Sequence, residues 1–173
     1  MKKFQFLLLD AGPVIKLFEL GIWDEFIKKC DVTITRTIAN EAKWASQDFE
    51  DIRIDIESYE NQGLVKIADL SPSDIKPFIE RFNAAYSTII HDGEKEVLAF
   101  LNNSRENWLL CSSDGAVFKV LGLIGKSEQG ISLQEIFEQI GLSRTLEWKY
   151  TREFREKHTR IGQMDSIQGK GLI

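Results

Sequence analysis

Six residues near the start of the chain, Phe4-Gln5-Phe6-Leu7-Leu8-Leu9, form an almost unbroken apolar run that stops at Asp10-Ala11-Gly12-Pro13. A run of this length bounded by turn residues predicts a β-strand buried on both faces, and such a strand needs helices above and below it. It is too short to be a membrane span, which takes about 20 apolar residues, or the core of a secretory leader despite Lys2 and Lys3. Pro13 suits the first turn of a helix. Val14, Ile15, Leu17 and Phe18 continue at helical spacing, and Ile22, Trp23, Phe26 and Ile27 resume it after a break at Gly21. Asp31-Val32-Thr33-Ile34-Thr35 then restores a short β-branched strand. One strand–helix–strand unit of this kind calls for a parallel pair and so for an α/β fold.

The rest of the chain keeps the alternation. Helices are predicted over 37–44 and, more acidic, over 49–59, before a strand over 64–68. Helices over 73–86 and 93–102 precede a strand over 108–111 and a helix over 115–123. Ser132-Leu133-Gln134-Glu135 is a capping box that opens a helix to Ile140, closed by Gly141. Leu146, Tyr150 and Phe154 mark one face of a basic final helix over 143–161, and the glycine-containing stretch 162–173 is expected to be a mobile tail. No repeat or linker divides the chain. The expectation is therefore one three-layer α/β domain over 1–142, a central mostly parallel sheet flanked by helices, with the final helix packed on it. In such sheets, sites form beyond the carboxyl ends of the strands.

Charge narrows the function classes. The formal net charge of −5 on 173 residues argues against general phosphate attraction as the basis of any nucleic-acid contact. The charge is also polarised, since residues 41–60 carry seven acids against Lys43 and Arg53, whereas residues 144–160 carry six bases against three acids. A solvated helix face is the simpler role for those bases, contact with an RNA backbone the more specific one. Cys30 and Cys111 have no metal-ligand spacing, so neither a disulfide framework nor a thiolate zinc site is implied, and a reducing cytoplasmic setting is expected. Nucleotide loops of the GxxxxGK[ST] or GxGxxG type are absent, as is any GxSxG setting for Ser112 or Ser113. An aspartate-nucleophile phosphatase would need a second acid at position 12, which is Gly.

Acids at strand ends or on apolar helix faces carry the remaining information, because a buried carboxylate is costly without a partner. Asp10 directly follows the first strand, where a turn or cap is its alternative role. Glu94 shares a helix face with Val97, Leu98 and Leu101, and Asp114 shares one with Val117, Phe118 and Leu121. An N-cap is the alternative for Asp114, an ion pair with Lys43 or Arg36 the alternative for Glu41, which lies beside Ile38 and Trp44. Four carboxylates gathered at one sheet edge persist only if protons or cations neutralise them. An all-oxygen set without a His or Cys pattern points to Mg²⁺ or Mn²⁺ and hence to phosphoryl chemistry. Glu96 ranks behind Glu94 because Ala99 and Phe100 place it on another face. His91 and His158 are isolated in sequence, though His91 precedes Asp92-Gly93-Glu94 and could border a cleft.

Four segments carry a family resemblance: Leu7-Leu8-Leu9-Asp10-Ala11-Gly12-Pro13-Val14-Ile15, Ile34-Thr35-Arg36-Thr37-Ile38-Ala39-Asn40-Glu41, Asp92-Gly93-Glu94-Lys95-Glu96-Val97-Leu98-Ala99-Phe100 and Leu110-Cys111-Ser112-Ser113-Asp114-Gly115-Ala116-Val117-Phe118. In order and context they resemble the acidic motifs of the PIN-domain nucleases, over roughly 4–142, and the third is similar to that of a PIN-like prokaryotic branch. The resemblance implies a PIN-like three-layer domain and a Mg²⁺- or Mn²⁺-dependent endoribonuclease acting on RNA. Members of that family are often toxins partnered by a small antitoxin protein and often homodimers, and the shortness of the apolar runs separately predicts no membrane association. By position, Asp10, Glu41, Glu94 and Asp114 would be the catalytic metal ligands, and Ser112 would orient the fourth acid. Two departures stand out. The third acid is Glu rather than the commoner Asp, and Ala11 and Gly12 stand where many members place a hydroxyl beside the first acid. A catalytically weak PIN-like module that binds nucleic acid or protein is the alternative.

Overall fold

In β1 (Phe4–Leu9), Leu7 and Leu9 point into one apolar cluster and Leu8 into the other, so the second half of the apolar run is covered on both sides, whereas Gln5 and Phe6, the latter at φ 58°, are exposed at a register shift against the neighbouring strand. A computed structural model describes residues 2–173 of the chain. Around β1 lie β2 (Cys30–Thr35), β5 (Lys66–Ala68), β6 (Leu109–Cys111) and β7 (Gly130–Ile131). The sheet order is β5-β2-β1-β6-β7, and every pairing in it is parallel. Strands added on one side of β1 come early in the chain and those on the other side come late. The order thus reverses between β1 and β6, the kind of crevice in which an open α/β sheet binds its ligand.

Helices fill both faces. One cluster buries α1 (Ala11–Glu19), α2 (Trp23–Lys29), α3 (Arg36–Glu41) and α9 (Leu133–Ile140) against the sheet. The other buries α5 (Pro72–Ile79), α7 (Asp92–Asn103), α8 (Gly115–Leu123) and α10 (Arg152–Ile167). The domain is therefore a three-layer α/β structure, as its strand and helix periodicities predict. α8 and α10 approach so closely that a Cβ on Gly122 would strike the Thr159 carbonyl and one on Gly162 the Lys119 carbonyl. Arg155 further ties α10 to α9 with two hydrogen bonds to Glu135, at 2.7 and 2.8 Å. Among the described residues no helix is long and apolar enough to cross a membrane.

Several predicted elements differ. The acidic helix expected over 49–59 is instead a hairpin, β3 (Trp44–Gln47) and β4 (Glu50–Arg53), followed by α4 (Ile56–Asn61). Its two-residue turn sets Asp48 and Phe49 at φ 49° and 68°, the geometry that matches strand twist in tight hairpins. The apolar spacing Ile52, Ile54, Ile56 crosses an element boundary, since Ile52 lies on β4, Ile54 follows it and Ile56 opens α4. The helix expected over 73–86 breaks into α5 and α6 (Ala84–Ser87), because the Asn83 side chain caps a new start by accepting from the Tyr86 N–H. The final helix begins at Arg152, not near 143, since Thr151 caps it and Trp148–Tyr150 form a 3₁₀ turn. At its other end α10 runs to Ile167, past the expected 161. The stretch after it is no loose tail: Asn83 N–H donates to Gly171 O and Ile173 N–H to Arg81 O, each at 2.9 Å.

Candidate functional site

Asp10 is where β1 stops. Its N–H still donates to Cys111 O at 3.0 Å, and its carboxylate then caps α1 by accepting from the Ala11 N–H at 2.8 Å. The second carboxylate oxygen accepts from Ser112 Oγ at 2.6 Å. Ser112 is completely buried, and the same hydroxyl oxygen accepts from the Asp114 N–H at 3.0 Å. One side chain thus joins the ends of two adjacent strands. Asp114 repeats the role of Asp10 one strand over, accepting from the Ala116 N–H at 2.7 Å as the cap of α8.

Glu94 enters from the start of α7, where its carboxylate accepts from the His91 N–H at 2.9 Å in a capping-box arrangement. The carboxyl is nearly buried, and its other oxygen lies 3.5 Å from His91 Nδ1. Ligand atoms of His91, Glu94 and Asp114 lie within 4.8 Å of one another. Glu41, the last residue of α3, lays its carboxylate against Gly93 in the first turn of α7. A Cβ at position 93 would come within 2.7 Å of Glu41 Oε2 and of Ile38 Cδ1, so the glycine of the Asp-Gly-Glu segment is what lets Glu41 lie against the start of α7.

These groups line one open cleft of about 610 Å³, with Lys95 at its rim. Burial pushes the carboxyl of Asp10 above its ordinary range and Asp114 repels it further, while the Ser112 and Ala11 hydrogen bonds work the other way. Glu41 is raised by burial and by the charge of Asp10, with the Gly93 N–H opposing. Glu94 is pushed up to about 7, first by burial and then by Asp114 and Asp10, against the His91 N–H. Three carboxyls displaced in one direction within one cleft describe a site short of positive charge. Oxygen donors in this number suit a hard divalent cation, which would replace the proton on Glu94.

The four acids singled out by sequence therefore line one cleft, and of them Glu94 and Asp114, with His91, have ligand atoms within 4.8 Å of one another. Glu96 does not join them: it is buried, and it accepts from the Thr37 N–H at 2.8 Å, holding the start of α3 rather than facing the cleft. His91 borders the cleft, and His158 packs against Gly115 beside Asp114. Ser113 and Lys95 were missed. Ser113 Oγ occupies the space that any side chain at position 12 would need, so a hydroxyl from β6 stands beside the first acid where β1 offers only glycine. The Ser-Ser pair before Asp114 was its only local sign. No protein-family model, no curated protein and no solved structure matches the chain, so its reading rests on this geometry and its sequence motifs.

Proposed function

We propose that this protein is a metal-dependent nuclease that hydrolyses phosphodiester bonds of RNA, with Asp10, Glu41, Glu94 and Asp114 holding Mg²⁺ or Mn²⁺. The observation that carries the reading is the close approach of Glu94 and Asp114, whose ligand atoms lie with that of His91 within 4.8 Å of one another, with Asp114 joined through Ser112 to Asp10 and, among the described residues, no lysine or arginine paired with Asp10, Glu94 or Asp114. The resemblance of the four motifs to PIN-domain nucleases supports the same class. When bound, such an ion lowers the pKa of its water and neutralises charge on phosphate oxygens.

The chain's own groups prepare that chemistry. Ser112 fixes the orientation of Asp10 and the backbone of Asp114, so both carboxylates are aimed before anything binds. Glu94 holds a proton near neutral pH and can release it as cation binds. Lys95 stands at the rim paired with Asp92 at 2.9 Å, a partner that an entering phosphate can replace with its own oxygens.

The test is cleavage of RNA and single-stranded DNA by the purified protein with Mn²⁺ or Mg²⁺, beside a chelator and an Asp114→Asn variant. Chelator-sensitive cutting that the variant lowers by more than about 100-fold, beyond the cost of losing an outer-shell partner, is the expected result. Equal cutting by both proteins, or none by either, overturns the proposal.

A further inference from the structure

Next to the cleft-lining Gly12, Ser113 and Asp114, the chain just before and inside α10 packs on Gly12 and on Gly115. Tyr150 Oη donates to Gly12 O at 3.3 Å, and the His158 ring packs on Gly115, the residue after Asp114. Beside them Trp148 remains 48% exposed. Its ring lies edge to face with Phe154 at 5.0 Å and 6.4 Å from the His158 ring, so both neighbours limit its swing. Lys157 Nζ sits 5.0 Å over the Trp148 ring and Lys149 Nζ 5.3 Å over the Tyr150 ring. Among the described residues neither lysine has an ion-pair partner, whereas Arg152 and Arg155 on the same helix are held by Glu135 and Glu138.

We propose that Trp148, braced by Phe154 and His158 and flanked by Lys149 and Lys157, stacks a base of a single-stranded nucleic acid whose neighbouring phosphate reaches the carboxylates. An immobilised, half-exposed indole with free ammonium groups is the pairing that grips single strands, because every base offers a π-face and every linkage a phosphate. Lys157 has a flexible four-carbon stem, so it leaves the ring for a phosphate when a base takes its place. An unpaired strand is required, since a duplex keeps its bases stacked on one another. The ligand class rests on the nuclease reading, but the claim itself concerns binding and is tested without turnover.

The experiment is fluorescence anisotropy of end-labelled single-stranded and duplex RNA oligonucleotides with chelator present. Wild type, Trp148→Ala, Trp148→Phe, Lys157→Gln and the cleavage-deficient Asp114→Asn are compared. Trp148→Ala is expected to weaken single-strand binding at least about fivefold, Trp148→Phe to retain most of it, and Asp114→Asn to keep the dependence on position 148. Lys157→Gln should reduce the salt dependence of binding. Circular dichroism melts check that Trp148→Ala is folded; if it is not, the Trp148→Phe and Lys157→Gln results decide. Unchanged binding by a folded Trp148→Ala, duplex bound as tightly as single strand, or no single-strand binding by wild type each overturns the platform. Trp148-dependent binding by a wild type that never cuts RNA sinks the nuclease reading instead and leaves the platform standing.

Discussion

Removing the hydroxyl of Ser112 would orphan two groups at once. Asp10 loses a buried 2.6 Å donor, and the Asp114 N–H loses its 3.0 Å acceptor. Ser112→Ala should therefore cost about 1–3 kcal/mol in denaturant unfolding and weaken Mn²⁺ binding about 10–100-fold by calorimetry. Wild-type metal affinity in that variant would show that Ser112 only fills space. At this scale the sequence was legible for the acids, because each stands next to a strand end or on an apolar helix face. It was not legible for Gly93 or Ser113. Their importance lies in what a Cβ would strike or a hydroxyl would reach, on segments remote in the chain.

At the scale of elements, α8 and α10 touch backbone to backbone through Gly122 and Gly162. A methyl at position 162 would overlap the Lys119 carbonyl and press on Leu123 N, so the helices must separate. Gly162→Ala should destabilise the fold by about 1–3 kcal/mol, despite the better helix propensity of Ala, and a thermal melt checks this. An unchanged or raised Tm would mean that the two helices can slide apart freely. Helix and strand periods were well recorded where one rule acted alone: the helix expected over 115–123 coincides with α8, and the Ser132 capping box opens α9. Where an apolar spacing crossed an element boundary, as at Ile52, Ile54 and Ile56 among acids, a single helix was chosen and the hairpin was missed. The last helix was misjudged for the same reason. Tyr150 belongs to the 3₁₀ turn that docks on Gly12, so its apolar spacing with Phe154 arises from two elements.

Across the whole molecule, the crowded cleft makes stability depend on pH and on cations. Glu94 has an ordinary carboxyl value of 4.5 when unfolded and about 7 when folded. The folded state therefore holds a proton that the unfolded chain releases. Its stabilisation is complete below pH 4.5 and is lost as pH rises through about 7, and Asp10 and Glu41 act in the same direction. Metal-free protein should lose Tm between pH 5 and 8, and Glu94→Gln should flatten that loss. Saturating Mn²⁺ should raise Tm more at pH 8 than at pH 5.5, by at least about 3 °C, because protons no longer compete for the carboxylates. Parallel curves for wild type and Glu94→Gln, or a cation effect independent of pH, would separate the cleft from the titration. What the sequence by itself determined was the alternation of strands and helices, several caps, and the placing of Asp10, Glu94 and Asp114 at strand ends or helix starts, whereas Glu41, expected early in its helix, closes α3. Those features follow from spacings of two to four residues and from turn chemistry, which neighbouring side chains settle locally. Only the tertiary structure decided that β1 lies between β2 and β6, that Glu94 approaches Asp114, and that His158 packs on Gly115, the residue after Asp114. Those contacts join residues from about 20 to more than 100 positions apart, and parallel register and helix packing, which no local pattern encodes, set which of them meet.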